Sequence, residues 1–481
     1  MTPFEITLAV SVLILGGYAA SGAVNFGKSR TYDAFFLNNR SLSPQNVRNT
    51  FTGAAISIST VLLFFLTLSP VFGWQIFLSP LTLAAGVLLF AHGVYPRLKA
   101  RPTLIASLRG ESSQPIDSLG DLVFHIYGKR WLSTAVTAVS ALGIGCVLVA
   151  EMMVGVTIYS EYFVEPEWIV FLIAATLFLY AGLGGMRSVV QTDGWQVRLI
   201  TASMVTIVAV LALQGTSTNP DITASDMWTG TWAPAMTMPA ALMINMLLVN
   251  LCLLPSSLRV WQVVAGSSKG AGFKRSLWFS TGIISVILVS AVFVARGVAV
   301  RNPGANVDLE LIFSFLVKNE NGFVSYLVYP LFVAALLSAL VSTADSAILP
   351  LAQVLSSRKN KWSSARVLRN VTLMLVIVIA IYFLVTRVLQ FELVPWILTV
   401  LSVTTCIAPS IIVPLFVRPR RFSPQASLVV GVGVATGCVA AFAWSITFRE
   451  ISIQPWNCAI GTTISLAATL IACAMKEEAV A

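Results

Sequence analysis

Charge is what this chain has least of. Only 10% of its 481 residues are Asp, Glu, Lys or Arg, against 57% hydrophobic. Soluble domains carry about 25% charged residues, so a set of soluble domains is excluded. Histidine is almost missing. His92 and His125 stand far apart with no Cys or His beside either, which argues against a zinc site. The six cysteines (Cys146, Cys252, Cys406, Cys438, Cys458, Cys473) fall in apolar segments and form no CxxC pair. They read as small core residues, not as a disulfide or metal framework. No Gly-rich phosphate loop, nucleotide motif or nucleophile–base set is present, which leaves an enzyme without support.

What the chain has is apolar runs of about 20 residues, each long enough to cross a bilayer. Thirteen are counted, near 4–24, 48–69, 74–96, 131–160, 166–184, 189–213, 236–262, 275–299, 322–352, 365–387, 393–417, 425–446 and 455–474. The expected class is therefore an all-α polytopic membrane protein. MTPFE alone precedes the first run, with no basic stretch and no cleavage site, so that run reads as a retained helix.

The formal charge of +10 suits nucleic acid only until its placement is traced. With the N-terminus outside, 24 of the 30 Lys and Arg fall in inner loops, Arg259 counted among them. Arg296, Arg301, Lys318, Arg387 and Arg449 fall outside, and Arg198 lies within a span. This asymmetry predicts N-out, C-in with an odd number of helices. It assigns the charge to a surface facing the inner leaflet of the lipid bilayer, with no nucleic acid partner. The long inner connection contains LGDLVFHIYGKR, read either as an amphipathic segment on the membrane surface or as a plain connector.

Five segments carry groups that do not belong in hydrocarbon. Phe332–Pro350 reads FVAALLSALVSTADSAILP. Ala339, Ser342, Thr343 and Ser346 recur at helical spacing and form one stripe, with Asp345 beside it. Such a stripe is costly in lipid unless it meets something polar, and oxygen donors are what a hard cation takes. The second run begins TGAAISISTVLLFF, where Gly53, Ser57, Ser59 and Thr60 permit either an unwound helix or tight packing through small residues. Asp193 follows a Gly182–Gly184–Gly185 turn, either as a functional intramembrane carboxylate or as an interfacial partner of Arg187. Glu151 reads as an interface or cavity-rim residue. Pro255 breaks the seventh run near Ser256 and Ser257. The second and seventh runs, both interrupted, sit five helices apart. That is the spacing of a five-plus-five inverted repeat covering 48–213 and 236–417, with 4–24 as an extra N-terminal helix and 425–474 as C-terminal helices.

YAGLGGMRSVVQTDGWQ and ALVSTADSA together resemble the solute:sodium symporter family (proline-, pantothenate- and sugar-symporter-like), across nearly the whole chain. The first is similar to that family's Gly-Gly turn followed by Val-x-x-Thr-Asp-x-x-Gln, and the second to its sodium-site helix. The resemblance implies a leucine-transporter-like fold and a Na+ site. Its ligands would be the carbonyls of Ala55, Ile58 and Ala339 and the hydroxyls of Ser342 and Thr343. Some members have a second, more inward Na+ site, whose counterparts are Asp193, Ser342, Asp345 and Ser346. The chain departs from the family at the seventh run, where PSSLRVWQ replaces the usual Gln-rich text, and at Ser57, where proline-type members carry an acid. No member's substrate carries over, and Ser57, Ser59, Ser256 and Ser257 are the candidate lining positions.

The expectation is a symporter of the cell (inner) membrane that couples Na+ to a small organic solute such as an amino acid or carboxylate, with no obligate protein partner. Proton coupling through Asp193, Asp345 or Glu151, and a solute sensor of the same fold, are the rivals. A channel suits broken helices less well.

Overall fold

The computed structural model describes residues 2–57, 63–98, 116–160, 165–214, 236–267, 272–301, 309–317, 322–356, 363–417 and 422–475. These are helical almost throughout. In order the helices are α1 (Pro3–Asn25), α2 (Tyr32–Leu37), α3 (Pro44–Ala55), α4 (Leu63–Phe72), α5 (Leu78–Leu88), α6 (Leu119–Tyr127), α7 (Arg130–Ser160), α8 (Trp168–Leu177) and α9 (Leu183–Gln214). They continue as α10 (Ala240–Ser256), α11 (Leu258–Gly266), α12 (Gly272–Arg301), α13 (Leu309–Val317), α14 (Tyr329–Val354), α15 (Ser364–Phe383), α16 (Leu393–Thr405), α17 (Ala408–Phe416), α18 (Pro424–Thr447) and α19 (Trp456–Ala474).

Local chemistry sets many boundaries. Thr2 and Glu5 form a reciprocal capping box at α1. Ser43 and Ser423 cap α3 and α18, each followed by proline at the first helical position. Among the described residues, ten helical stretches are long and apolar enough to cross a membrane, eleven if the bent pair α10–α11 is one span. The protein is a multi-pass membrane protein.

The thirteen runs read from the sequence differ from this count in two places. Residues 168–212 form one 45-residue stretch. At 1.5 Å per residue it would be about 68 Å long, twice a hydrocarbon core. Gly185 (φ +62°, ψ −161°) divides it. A side chain there would collide with the Phe35 carbonyl and ring as well as strain the backbone. The run at 48–69 is a broken element, α3 then α4, the second continuing with bends to Leu98.

Helix α14 is the core of the molecule: 83% of its apolar window is buried, against 28% for α1 and for α15. Around it pack α9, α7, α1, α15, α3 and α11. Leu13, Val388, Val439 and Leu81 lie outward and exposed, as lipid-facing residues do. Helices α18 and α19 pack tightly on each other and then against α16. The LGDLVFHIYGKR connection forms α6, capped by Ser118 and ended by a left-handed Gly128. It buries Leu119, Leu122, Val123, Ile126 and Tyr127, and the Tyr127 hydroxyl donates to the Ser410 carbonyl at 2.7 Å. The apolar face of this amphipathic segment therefore lies against the protein.

Candidate functional site

The polar stripe of α14 lies where three interruptions converge. Helix α3 stops at Ala55, and Ile56 (φ −92°, ψ 77°) leaves helical geometry. Helix α10 stops at Ser256, Ser257 is extended (φ −89°, ψ 118°), and α11 leaves at 45°. Helix α9 brings Asp193 two turns after its Gly185 turn. Pro255 contributes to the second break by removing a ladder hydrogen bond.

Ser338, Ser342, Thr343, Asp345 and Ser346 are all buried. The Thr343 hydroxyl donates to the Ile56 carbonyl at 3.3 Å, tying α14 to the end of α3. Asp193 Oδ2 accepts from the Thr50 hydroxyl at 2.5 Å, tying α9 to α3. Gly53 lies between them. A Cβ there would overlap Ser342 Oγ and stand 3.4 Å from Asp193 Oδ1, so both oxygens face one point on α3. Asp345 Oδ1 accepts from the Ser346 hydroxyl at 3.0 Å.

What distinguishes the cluster is what stays unmet. Asp193 Oδ1, Ser342 Oγ, Asp345 Oδ2 and Ser338 Oγ are buried and make no hydrogen bond of normal geometry among the described residues, although Ser342 lies beside Asp193, Tyr180 beside Asp345 and Tyr18 beside Ser338. Leaving a buried polar group unsatisfied costs about 1–3 kcal/mol, more if it is charged. Four such oxygens within one region make a donor set suited to a small hard cation. The sequence-predicted Ser342, Thr343, Asp193, Asp345 and Ser346 are brought together with the end of α3 at Ala55, and Ala339 lies on the same buried stretch of α14. Ile58 and Ser59 lie outside the described residues.

A supporting layer was not foreseen from the sequence. Helix α1 packs on α9 and α14 and carries the buried Tyr18, whose hydroxyl accepts from Gln196 Nε2 at 2.6 Å. The Tyr18 ring lies 5.1 Å from Tyr180 and 5.0 Å from Trp195. Both tyrosines lie within the electrostatic reach of Asp193 and Asp345. The N-terminal helix thus closes the back of the cluster.

Two expectations are corrected. Glu151 does not sit at an interface. It is fully buried, and its Oε1 accepts from the Ser57 hydroxyl at the break after α3. Helix α7 spans 31 residues, about 46 Å, against a core of about 30 Å; distance from its end is a poor guide to depth. Arg259 does not sit in an inner loop. Its Nε and Nη2 are buried, and its charged neighbours are Asp345, Asp193 and Glu151.

Beside the cluster is a cavity of about 170 Å3. Its walls are largely apolar and include Phe51, Phe65, Leu83, Val147, Leu253 and Val263. Its polar edge includes Ser57, Asn250, Ser257, Arg259, Thr343 and Thr404. Ser57 and Ser257 face this cavity. Ser256 does not: its hydroxyl donates back to the Cys252 carbonyl at 2.8 Å, and its own carbonyl accepts from Ser140.

No family model and no curated protein sequence matches the chain. Solved structures do. The substrate-bound, outward-open state of a Na+-coupled sialic acid symporter aligns with 98% of this chain and 98% of its own at 16% identity, with a TM-score of 0.75. MhsT in complex with L-phenylalanine aligns with 90% of this chain and 98% of its own at 12% identity, with a TM-score of 0.50. At these identities the likeness establishes the fold: the chain has the leucine-transporter-like helical architecture of these membrane transporters.

Proposed function

We propose that this chain is a secondary active transporter that couples Na+ entry to uptake of a small organic solute by alternating access. The observation that carries the reading is the set of unmet buried oxygens, Asp193 Oδ1, Ser342 Oγ, Asp345 Oδ2 and Ser338 Oγ, at the junction of α14 with the interrupted α3. A bound cation offsets their desolvation, which the protein alone does not. The fold shared with a Na+-coupled sialic acid symporter supports the reading.

In this reading the first Na+ is held by the carbonyls of Ala55, Ile58 and Ala339 and the hydroxyls of Ser342 and Thr343. A second takes Asp193, Ser342, Asp345 and Ser346. Ion binding ties α3 to α14 and favours the state in which the adjacent cavity is formed. Loss of the ion loosens that tie and releases the solute, a population shift driven by the ion's unequal affinity for the two states. The chain is then a solute:sodium symporter-like protein of thirteen helices, N-out and C-in. Residues 48–213 and 236–417 form its two inverted repeats, in a cell (inner) membrane.

The test is thermal unfolding of the purified protein in Na+, K+ or choline at equal ionic strength, for wild type and Ser342→Ala. A ligand that binds only the folded state raises the midpoint by mass action. A Na+-specific rise that needs about tenfold more Na+ in the variant is expected; equal midpoints in all three cations would sink Na+ coupling. Glu151, buried on Ser57 near the cavity, favours one second reading, coupling to protons. Uptake that tracks a pH gradient and ignores Na+ would select it.

A further inference from the structure

The α10–α11 break presents a donor set of opposite sign to the cation cluster. Arg259 is the second residue of α11 and is one of the residues that line the cavity. Its Nε and Nη2 are buried and without a hydrogen-bond partner among the described residues. Asp345, Asp193 and Glu151 surround it electrostatically, yet it forms no ion pair with any of them among the described residues. The N-cap residue of α11, Ser257, makes no side-chain cap. Ser140 Oγ satisfies the Leu258 N–H at 3.3 Å. The next two first-turn residues, Arg259 and Val260, receive no capping side chain among the described residues and line the cavity together with Ser257. A helix N-terminus concentrates N–H donors and positive potential, and a guanidinium adds a planar fork matched to a carboxylate. The rest of the wall is mainly aliphatic and aromatic.

We propose that the transported solute is a small carboxylate with an apolar body. Its carboxylate is bound by the Arg259 guanidinium, the Ser257 hydroxyl and the first turn of α11, and its body fills the cavity between α3, α7 and α10. This rests on the Na+-symport reading and extends it. With the cation cluster empty, Arg259 serves the surrounding carboxylates as a distant counter-charge. Na+ at Asp193 and Asp345 takes over that duty and leaves the guanidinium for the solute. Carboxylate binding is therefore tighter in Na+ than in K+, a coupling through charge rather than through shared ligands.

The test uses thermal unfolding and tracer uptake with matched probes: butyrate against butyramide and butanol, and L-leucine against L-leucinol. In Na+, the carboxylate members stabilise wild type and their neutral or amino-alcohol partners do not. Arg259→Gln weakens the carboxylate effect about tenfold or more, while the solute-free Na+ shift persists or grows because the competing counter-charge is gone. Arg259→Lys, which keeps the charge and loses the fork, falls between. The comparison of probes on wild type stands even where a variant folds poorly. Stabilisation by the amide or alcohol equal to the acid overturns the proposal, as does silence from every carboxylate. An Arg259→Gln protein that binds carboxylates normally but Na+ more tightly also overturns it and makes the arginine a counter-cation only. A Na+ shift with no carboxylate effect refutes this inference and keeps the symport reading. A carboxylate effect that Arg259→Gln abolishes, in a protein indifferent to Na+, does the reverse.

Discussion

Two clusters of polar side chains are buried in this bundle, and they are built on opposite terms. In the C-terminal part, Asn457 on α19 donates to Ser445 Oγ at 2.6 Å, and its Oδ1 accepts from Ser402 at 2.6 Å and Asn245 at 3.3 Å. Asn245 also donates to Ser402 and to the Pro455 carbonyl. Each polar side-chain atom of Asn457 is satisfied, and the network joins α10, α16, α18 and α19. In the central cluster the groups are charged as well as polar, and key oxygens of Asp193, Asp345, Ser342 and Ser338 make no hydrogen bond of normal geometry among the described residues. A satisfied network is glue between helices. An unsatisfied one is a deficit that something outside the chain removes. The difference makes opposite predictions for substitution.

The largest effect is expected from Gly53→Ala. The added methyl overlaps Ser342 Oγ and crowds Asp193 Oδ1, filling the point on which those oxygens converge. Na+-dependent stabilisation and uptake are expected to vanish while the protein still reaches the membrane. Wild-type Na+ response would break the assignment of that point as the ion's place. Next comes Asp193→Asn, which removes a charged ligand but keeps the shape. Charge-assisted interactions are worth about 1.5–3 kcal/mol, so Na+ activation weakens by roughly ten- to a hundredfold. Coupled uptake should fall more than expression does.

The satisfied cluster behaves otherwise. Asn457→Ala removes the bonds that tie Ser402, Ser445 and Asn245 to one another through α19, although each keeps another partner, and costs about 1–2 kcal/mol of stability. The unfolding midpoint is expected to drop by the same amount in Na+ and in K+. A drop seen only in Na+ would erase the distinction between the two clusters.

How far the sequence discloses all this depends on whether a residue's meaning is local. The serines and Asp345 of α14 stand out because they interrupt an apolar run, and Asp193 stands out beside a glycine turn. The cost of burying polar groups in lipid marked both places but left Asp193 open to an interfacial reading; the proposed ligand sets came from the family resemblance. Arg259 did not stand out, because it lies close in sequence to Lys269, Lys274 and Arg275 and reads as one more inner charge. Only the break at Ser257 turns it inward. Tyr18 and Gln196 look like ordinary residues of their helices, and their roles exist only because α1 crosses α9. Helix counting met the same limit, since the bends at Gly185 and after Ala55 decide how many crossings a continuous apolar stretch makes.

The smallest effect expected, and the sharpest test of the comparison, is Ser342→Ala in the absence of Na+. Ser342 is fully buried, and its Oγ, although beside Asp193, makes no hydrogen bond of normal geometry among the described residues. Deleting a satisfied buried hydroxyl destabilises a protein by about 1 kcal/mol, whereas deleting an unsatisfied one removes a desolvation cost. In K+ the variant is expected to unfold at the wild-type midpoint or slightly above it. In Na+ it is expected to lag wild type, with about tenfold weaker Na+ activation for the loss of one neutral ligand. Loss of stability in K+ equal to that in Na+ would mean that Ser342 is glue after all, and the central cluster would then differ from the C-terminal one in degree only.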